Sequence, residues 1–536
     1  MLKVTINGIE HEFPESINLI DACRMAGVEI PHFCYHPALS IAGSCRMCQV
    51  ELEIAGRKML TVACNTKITD GMKVITDSEA VKQTQQSILE FLLLSHPLDC
   101  PICDDAGECK LQNYYMLFDK MPSRFGEAKK HKHKVVDLGN IVLDAERCVL
   151  CSRCVRFFRD VVKNEQMEIF NNGADAEIGA LPGKTLETDY TGNIVDLCPV
   201  GALTDKRFRF KRRVWYLEGA NSICPGCSKG CNIQIQFDRN HHWKNPSRRI
   251  QRVKPRYNAE VNQYWMCDAG RYGWEFVDAK DRLIKAMMRT DGGLAEAPFE
   301  EALKTFAEGW KKAVSGSGKA KSALIAAPQL ATGALFMLKK LIDNIGLVNV
   351  DYRVPSVKDG ILDKILQMKD RNPNSYAAEL IGIVPGEDGK SFPEIIEGIK
   401  TGKIESLIAI CCDPASYLGE GKDALKKLKF FGLLHWTKVS SVDYAHAVLP
   451  AATFAETNGT YINYEGRIQR FFEAFEPMGE ARPPWQTLLL LGREMGYKFK
   501  AFSDAELFAE FANSVEGYKG LTWEKIEAQG FKKANV

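Results

Sequence analysis

Cysteine placement constrains this chain more than any other feature. It has 18 cysteines in 536 residues, and 16 of them lie before residue 268. They fall into sets. Cys34, Cys45, Cys48 and Cys64 are spaced C-x10-C-x2-C-x15-C. His96 precedes Cys100, Cys103 and Cys109 at H-x3-C-x2-C-x5-C. Cys148, Cys151 and Cys154 form C-x2-C-x2-C, with Cys198-Pro199 far downstream. Cys224, Cys227 and Cys231 form C-x2-C-x3-C, followed after 35 residues by Cys267. The chain opens on Met1-Leu2-Lys3-Val4 and runs straight into an alternating pattern, so no apolar leader is expected. In a reducing compartment so many cysteines serve metal ligation rather than disulfides.

Composition removes several alternatives. The formal net charge is only +2, which argues against a nucleic-acid groove or a polybasic membrane anchor. The most basic run, residues 206–213, reads as a solvated or partner-facing loop. No apolar run approaches the roughly 18 residues of a membrane span, so direct membrane insertion is not expected. At this length several domains are expected, at least one with a substantial core.

Residues 1–78 read as a small β-rich domain. Leu2, Val4 and Ile6 alternate with polar residues, Asn7-Gly8 supplies a type I′ turn, and a second strand follows through His11 and Phe13. Residues 16–26 have helical spacing. Four thiolates in this β-grasp-like frame suit a 2Fe–2S cluster, with zinc as the alternative. Backbone N–H groups of the loop 43–48 are placed to donate to sulfur. His36 reads as an ordinary polar neighbour and Cys23 as a small buried residue.

Residues 79–95 have the pattern of an amphipathic helix with Val81, Ile88, Phe91 and Leu92 on one stripe and Gln85 flanking or opposite. That helix delivers His96. Pro97 and Pro101 keep helix out of the following loop, and Gly107 lets it fold back toward Cys109. Alone, one histidine and three cysteines suit zinc as well as an iron–sulfur cluster; the neighbouring sets favour the latter. The triplet Cys148, Cys151, Cys154 is half of a bacterial ferredoxin signature, and with no second triplet present Cys198 must complete its own site. A zinc ribbon is the alternative for the fourth set, in which the distant Cys267 is the least secure ligand.

After Cys267 only Cys411 and Cys412 remain; they end a buried strand, where apolar packing explains them. Strand-then-helix units at 322–328 with 330–345, and at 406–412 with 417–428, predict a doubly wound α/β domain. No Gly-rich dinucleotide fingerprint is present.

Several stretches carry a family resemblance. Residues 90–117 resemble the histidine-ligated 4Fe–4S module of the large subunit of respiratory complex I, and almost as well its counterparts in iron hydrogenases and NAD-linked formate dehydrogenases. The fourth set resembles the 4Fe–4S domain of molybdopterin oxidoreductases, and residues 442–469 resemble the stretch that approaches the pterin in that family. Together the chain resembles the large iron–sulfur subunits of NADH:quinone oxidoreductase, the bacterial G subunits. The fold implied is multidomain α/β and α+β: a β-grasp 2Fe–2S ferredoxin-like domain at 1–78, a histidine-ligated 4Fe–4S module at 79–118, a 4Fe–4S ferredoxin-like module at 119–218, a molybdopterin-oxidoreductase-type 4Fe–4S domain at 219–275 and a shortened molybdopterin-oxidoreductase-like domain at 276–536.

The resemblance also implies one 2Fe–2S cluster on Cys34, Cys45, Cys48 and Cys64. Three 4Fe–4S clusters would sit on His96, Cys100, Cys103 and Cys109; on Cys148, Cys151, Cys154 and Cys198; and on Cys224, Cys227, Cys231 and Cys267. No molybdopterin is expected, because no cysteine or serine has the context of a molybdenum ligand. The activity implied is electron relay within a translocating oxidoreductase, without a substrate site of its own. Partners implied are a flavin- and NADH-binding subunit and other iron–sulfur subunits, on the cytoplasmic face of the inner membrane. A subunit of a formate dehydrogenase or hydrogenase is the alternative, although too few cysteines remain for a hydrogenase catalytic cluster.

Overall fold

The structure, a computed structural model, describes every residue except 55, 119–122, 127, 130–134, 240–247, 354–362 and 533–536. The chain forms two compact units, Met1–Leu217 and Glu218–Val536.

The first unit begins with a mixed five-stranded sheet. Strands β1 (Leu2–Ile6) and β2 (Ile9–Phe13) form a hairpin turned by Asn7 and Gly8, both at positive φ (49° and 84°) as a type I′ turn requires. With β3 (Gln49–Ile54), β4 (Arg57–Val62) and β5 (Met72–Ile75) the order is β2-β1-β5-β3-β4, and β1 runs parallel to β5. The helix α1 (Leu19–Met25) packs Leu19, Ile20, Ala22 and Cys23 into the core beside Val4, Ile6 and Val50. It is shorter than its hydrophobic spacing suggests, because Asn18 and the residues before it stay extended. This is a β-grasp frame.

Helix α2 (Glu79–Leu93) is capped by Ser78, whose Oγ accepts from Val81 N at 3.4 Å. Its buried stripe differs from the expected one. Val81, Gln85 and Leu89 face inward with Ile88 and Leu92 half-buried, whereas Phe91 is exposed, its ring beside that of Phe125. Gln85 is tolerated inside because its amide donates to Gln49 O at 3.4 Å. Helix α3 (Lys110–Phe118) follows, then β6 (Val135–Asp137), β7 (Ile141–Asp144), α4 (Arg153–Phe157), β8 (Met167–Phe170), β9 (Glu177–Ala180), α5 (Asn193–Leu197) and β10 (Leu203–Asp205). These are short elements, and most of the intervening chain is loop tied to cysteines.

The second unit opens with a three-stranded antiparallel sheet, β11 (Glu218–Ile223), β12 (Asn232–Phe237) and β13 (Ile250–Pro255), with α6 (Asp268–Tyr272) beside it. A seven-stranded sheet follows. It uses β14 (Met287–Thr290), β15 (Gly293–Glu296), β16 (Ser322–Ala326), β17 (Val350–Asp351), β18 (Ser406–Ile410), β19 (Phe430–His435) and β20 (Ala447–Pro450), in the order β15-β14-β20-β19-β18-β16-β17. From β20 to β17 the pairing is parallel. Two separate apolar cores hold residues of alternating strand positions, one with Leu324, Ile408 and Leu434, the other with Ile325, Leu407 and Leu433. That is a sheet buried on both faces, as a doubly wound α/β fold requires.

Helices α7 (Phe299–Ala313), α8 (Thr332–Ile345), α9 (Ser375–Ile381), α10 (Phe392–Lys400) and α11 (Pro414–Leu418) accompany that sheet. The expected helix over 417–428 is not one helix: α11 ends at Leu418, and 3₁₀ turns span Gly419–Lys427. Gly419 at φ 56° breaks the α-helix. A last small sheet of β21 (Gly459–Ile462), β22 (Arg467–Phe471) and β23 (Phe531–Lys532), with α12 (Pro484–Glu494) and α13 (Asp504–Ser514), completes the unit. Among the described residues no helix is long and apolar enough to cross a membrane.

Candidate iron–sulfur sites

The first cysteine set sits at one end of the β-grasp sheet. Cys45 and Cys48 lie in the loop entering β3, and Cys64 lies in a 3₁₀ turn leaving β4. That turn is clasped to the loop by Ala63 N donating to Cys48 O at 2.9 Å. Gly43 and Arg46 take positive φ (61° and 59°), which turns backbone N–H groups toward sulfur. Cys34 N donates to Cys45 Sγ at 3.5 Å. The four sulfurs are within hydrogen-bond reach as a chain. Bonds from the Cys45 and Cys64 thiols hold Cys34 well below the ordinary thiol range, and Cys45 and Cys64 are pushed up in return.

The second set occupies the loop between α2 and α3. Among the described residues His96 Nδ1 is buried with no hydrogen-bond partner, and burial lowers the ring pKa to about 4. A neutral imidazole with an unused buried nitrogen has the chemistry of a metal ligand. Gly107, at φ 95°, reverses the chain before Cys109. Burial pushes Cys109 up to about 12 and raises Cys103, and the two thiols are close enough to interact electrostatically. Cys103 N donates to Cys100 O at 3.2 Å, which closes the turn between these two cysteines.

In the third set Cys148, Cys151, Cys154 and the distant Cys198 border one small cavity, lined otherwise by Leu143, Val149 and Val200 among others. Leu150 and Ser152 both take positive φ (51° and 58°), a strained conformation for side chains of these types that wraps the triplet around the cavity. Leu150 N donates to Cys148 Sγ at 3.3 Å. Burial raises Cys151, Cys154 and Cys198, so the bare thiols stay protonated until a metal displaces the protons.

These three sets are not laid out as the chain order suggests. One apolar cluster contains Cys34 from the first set, Met47 from the loop between Cys45 and Cys48, Cys109 from the second set and Cys151 from the third, with Cys45, Cys148 and Cys198 packed against it. The third set touches both of the others. Toward the second, Lys110 N donates to Pro199 O at 2.9 Å, and Arg147, just ahead of Cys148, pairs with Asp99, just ahead of Cys100, at 2.5 Å. A Cβ on Gly201 would collide with Cys103 Sγ. Toward the first, buried Arg153 and Arg156 on α4 donate to the carbonyls of Tyr35 and Cys34.

The fourth set belongs to the second unit. Cys224, Cys227, Cys231 and Cys267 line one small cavity with Gly226, Gly270 and Arg371, although 35 residues separate the last two cysteines. Cys267 caps α6, its Sγ accepting from Gly270 N at 3.4 Å. A Cβ at Gly270 would stand 2.9 Å from Cys224 Sγ, so glycine is what leaves the sulfurs room. The loop between Cys227 and Cys231 is held from outside. Gln469 Nε2 donates to Gly230 O (3.0 Å), Asn463 Nδ2 to Lys229 O (3.3 Å) and Tyr464 N to Ser228 O (3.0 Å). In this chain the stretch 442–469 therefore grips the cysteine loop.

A buried ionic knot secures the same region. Glu456, fully buried, accepts from Arg249 at 2.7 Å and from Arg282 at 2.8 Å, and Arg249 also pairs with Asp278 at 2.8 Å. Cys411 and Cys412 are both buried just beyond β18, and burial raises both thiols. Among the described residues no three His, Cys, Asp or Glu side chains converge in the manner of a single-ion site. What sequence reading missed is the support: Arg153, Arg156, Glu456, Asn463 and Gln469. The one available signal was the two arginines within and just after a cysteine triplet, where a buried loop ordinarily excludes charge.

Comparison with known families follows the same segments. Residues 1–79 match the 2Fe-2S iron-sulfur cluster binding domain, and residues 85–121 the NADH-ubiquinone oxidoreductase-G iron-sulfur binding region. Residues 139–204 match the NADH-quinone oxidoreductase subunit 3, ferredoxin-like domain. Residues 219–279 match the molybdopterin oxidoreductase Fe4S4 domain, and residues 381–493 molybdopterin oxidoreductase. Fold and matches define a multidomain protein with 2Fe–2S and 4Fe–4S binding domains, of the oxidoreductase class.

Among relatives, the G subunit of the NADH-quinone oxidoreductase of Rickettsia felis is 37% identical over 367 residues, 67% of this chain and 52% of that protein. The mitochondrial NADH-ubiquinone oxidoreductase 78 kDa subunit of Candida albicans is 28% identical over 93% of this chain and 83% of its own length. The chain belongs to the family of NADH-quinone oxidoreductase G subunits. It spans about half the length of the first relatives it matches. A chain of an NAD+-reducing [NiFe]-hydrogenase, 28% identical over 40% of this chain and covered over 91% of its own length, superposes with a TM-score of 0.36, too low to bear on the fold.

Proposed function

We propose that this chain is the electron-relay subunit of an NADH:quinone oxidoreductase, carrying electrons from a flavin-bearing partner toward quinone. It would work in the peripheral arm of the complex, on the cytoplasmic face of the membrane, beside other iron–sulfur subunits. The ligands would be Cys34, Cys45, Cys48 and Cys64 for a 2Fe–2S cluster. Three 4Fe–4S clusters would take His96, Cys100, Cys103 and Cys109; Cys148, Cys151, Cys154 and Cys198; and Cys224, Cys227, Cys231 and Cys267. The corresponding domains would be 1–78, 79–118, 119–218, 219–275 and 276–536. When bound, the clusters supply one-electron carriage at potentials set by ligand type, hydrogen bonds to sulfur and burial.

The observation that supports this reading most is the shared core of the first unit, where thiols of three sets lie together with buried cations around them. The residues' part in the relay is to hold. Positive-φ turns aim N–H groups at sulfur, apolar walls exclude water, and the third set touches both of the others. A relay from the first set through the third to the second would use those contacts. In the second unit Asn463 and Gln469 hold the cysteine loop, and no molybdopterin is proposed because no cysteine or serine has the context of a molybdenum ligand.

Anaerobic iron and acid-labile sulfide analysis with EPR and molybdenum determination tests the reading. About 14 irons per chain and no molybdenum are expected. Zinc with no labile sulfide would overturn it, and roughly 10 irons would remove one cubane. A second measurement addresses the fourth site. Gln469→Ala removes the donor to Gly230 O, and is expected to lower the iron retained by about one cubane's share while the other signals keep their intensity. Undiminished iron content would show that the loop needs no such support.

A further inference from the structure

Two guanidinium groups are buried between the first and third cysteine sets. Arg153 is 4% exposed and Arg156 is 3% exposed. Among the described residues neither makes an ion pair with a carboxylate. Arg156 instead spends its donors on neutral oxygens. A single nitrogen, Nη2, donates both to Cys34 O and to Cys151 O, the latter at 3.1 Å. Its Nη1 donates to Ser40 O, and its Nε to Ser152 Oγ at 3.1 Å. Arg153 donates to Tyr35 O and to Leu197 O, the latter at 3.1 Å, beside Cys34 and Cys198; its Nε is buried without a partner.

Burying a cation without a counter-charge costs several kcal/mol, more than carbonyl dipoles alone return. Asp160 acts on Arg156 from the Ser40 side without pairing with it, so further negative charge is favoured here. The thiolates of the two flanking sets, with the iron–sulfide cores they would hold, supply it, and Cys34 and Cys151, once ionised, attract Arg156 electrostatically. The fork geometry adds a mechanical role. Nη1 on Ser40 O and Nε on Ser152 Oγ fix the guanidinium plane while Nη2 bonds a backbone carbonyl of each set, so the two ligand loops are held at one separation; an ammonium, with one nitrogen for all four oxygens, cannot reproduce this.

We infer that Arg156 is a positioning residue shared by the first and third clusters. Its buried charge raises the potential of both, and its Nη2 fork fixes their separation. This role rests on the ligand sets proposed above. Adding an electron to either site adds negative charge beside a fixed cation, so reduction is favoured at both.

The test uses the full chain, purified or reconstituted anaerobically, as wild type, Arg156→Met and Arg156→Lys. Iron and sulfide content is measured first, followed by an EPR redox titration of the 2Fe–2S and all-cysteine 4Fe–4S signals and their magnetic interaction. Arg156→Met should shift both potentials downward. Arg156→Lys should bring both back toward wild type while leaving the interaction between the two signals weakened. If Arg156→Met cannot retain iron, the lysine variant carries the test alone: a weakened interaction supports the bridge, and an unchanged one overturns it. Potentials that do not move in an iron-replete Arg156→Met protein, or a shift at only one site, also overturn it. If wild type lacks the two signals, the relay reading itself falls, and the bridge with it.

Discussion

Replacing Glu456 by alanine is expected to destabilise the C-terminal unit by about 3–5 kcal/mol, the usual result of breaking one side of a buried ion pair. Glu456 is 0% exposed, and it satisfies two guanidinium groups at once: Arg249 Nη2 at 2.7 Å and Arg282 Nη2 at 2.8 Å. Thr453 N and Oγ1 complete the carboxylate at 2.8 and 2.9 Å. Removing it leaves Arg282, itself 4% exposed, without its charge partner. Arg249 keeps Asp278 at 2.8 Å, so the loss falls mainly on Arg282. Chemical denaturation of Glu456→Ala beside Arg282→Ala and the double variant checks this. The double variant should recover part of the loss, because no uncompensated charge then remains.

The same carboxylate has a pH signature. Burial pushes the Glu456 pKa up, but the Arg282 guanidinium and the Thr453 amide outweigh it and hold the group below its ordinary 4.5. A carboxyl lower in the folded than in the unfolded state stabilises fully above about 4.5, and that contribution fades as pH falls through the folded value. Glu456→Gln should therefore be less stable than wild type at neutral pH, with a shallower acid limb. Parallel denaturation curves for the two proteins down to acid pH would contradict this.

The second large effect is expected at Gly201. A methyl group there would overlap Cys103 Sγ and stand 3.1 Å from the Cβ of Asp105, both inside contact distance. The sulfur cannot simply rotate away if it ligates iron. Gly201→Ala should therefore displace Cys103 and strip the histidine-bearing site, with the 2Fe–2S signal preserved because the nearest atoms to the added methyl are Cys103 Sγ, Asp105 Cβ and Arg147 Cδ, none of them in the first set. Iron content should fall by about one cubane's worth, roughly four atoms per chain. An iron-replete Gly201→Ala protein with an unaltered 4Fe–4S spectrum would show that the loop moves as a whole without cost. Folding of the variant is checked by circular dichroism, since the contact is to a side chain rather than to the core.

Both effects come from residues that carry no signal of their own in the sequence. Gly201 is one of 42 glycines, and its φ is not in the left-handed region; only the approach of a loop far earlier in the chain makes it critical. Glu456 lies inside a stretch whose family resemblance was legible, yet nothing local indicates that it faces two arginines from elsewhere in the unit. Helix α2 shows the same limit on a smaller scale. Its period was plain, but Gln85 went inside because one carbonyl, Gln49 O, waited there.

Legible in the residues alone were the chemistry and its local frames. Thiol spacing, the histidine ahead of a cysteine pair, Asn7-Gly8 and the strand alternation all act within a few residues, where backbone geometry leaves little choice. Which sets became neighbours emerged only from packing. Cys267 reached the cavity of Cys224 after a gap of 35 residues, the third set came to touch both the first and the second, and the arginines of α4 were buried against Cys34. Ligand spacing answers to bond lengths and loop sterics. The arrangement of sites answers instead to burial and charge compensation, which sum over segments far apart in the chain.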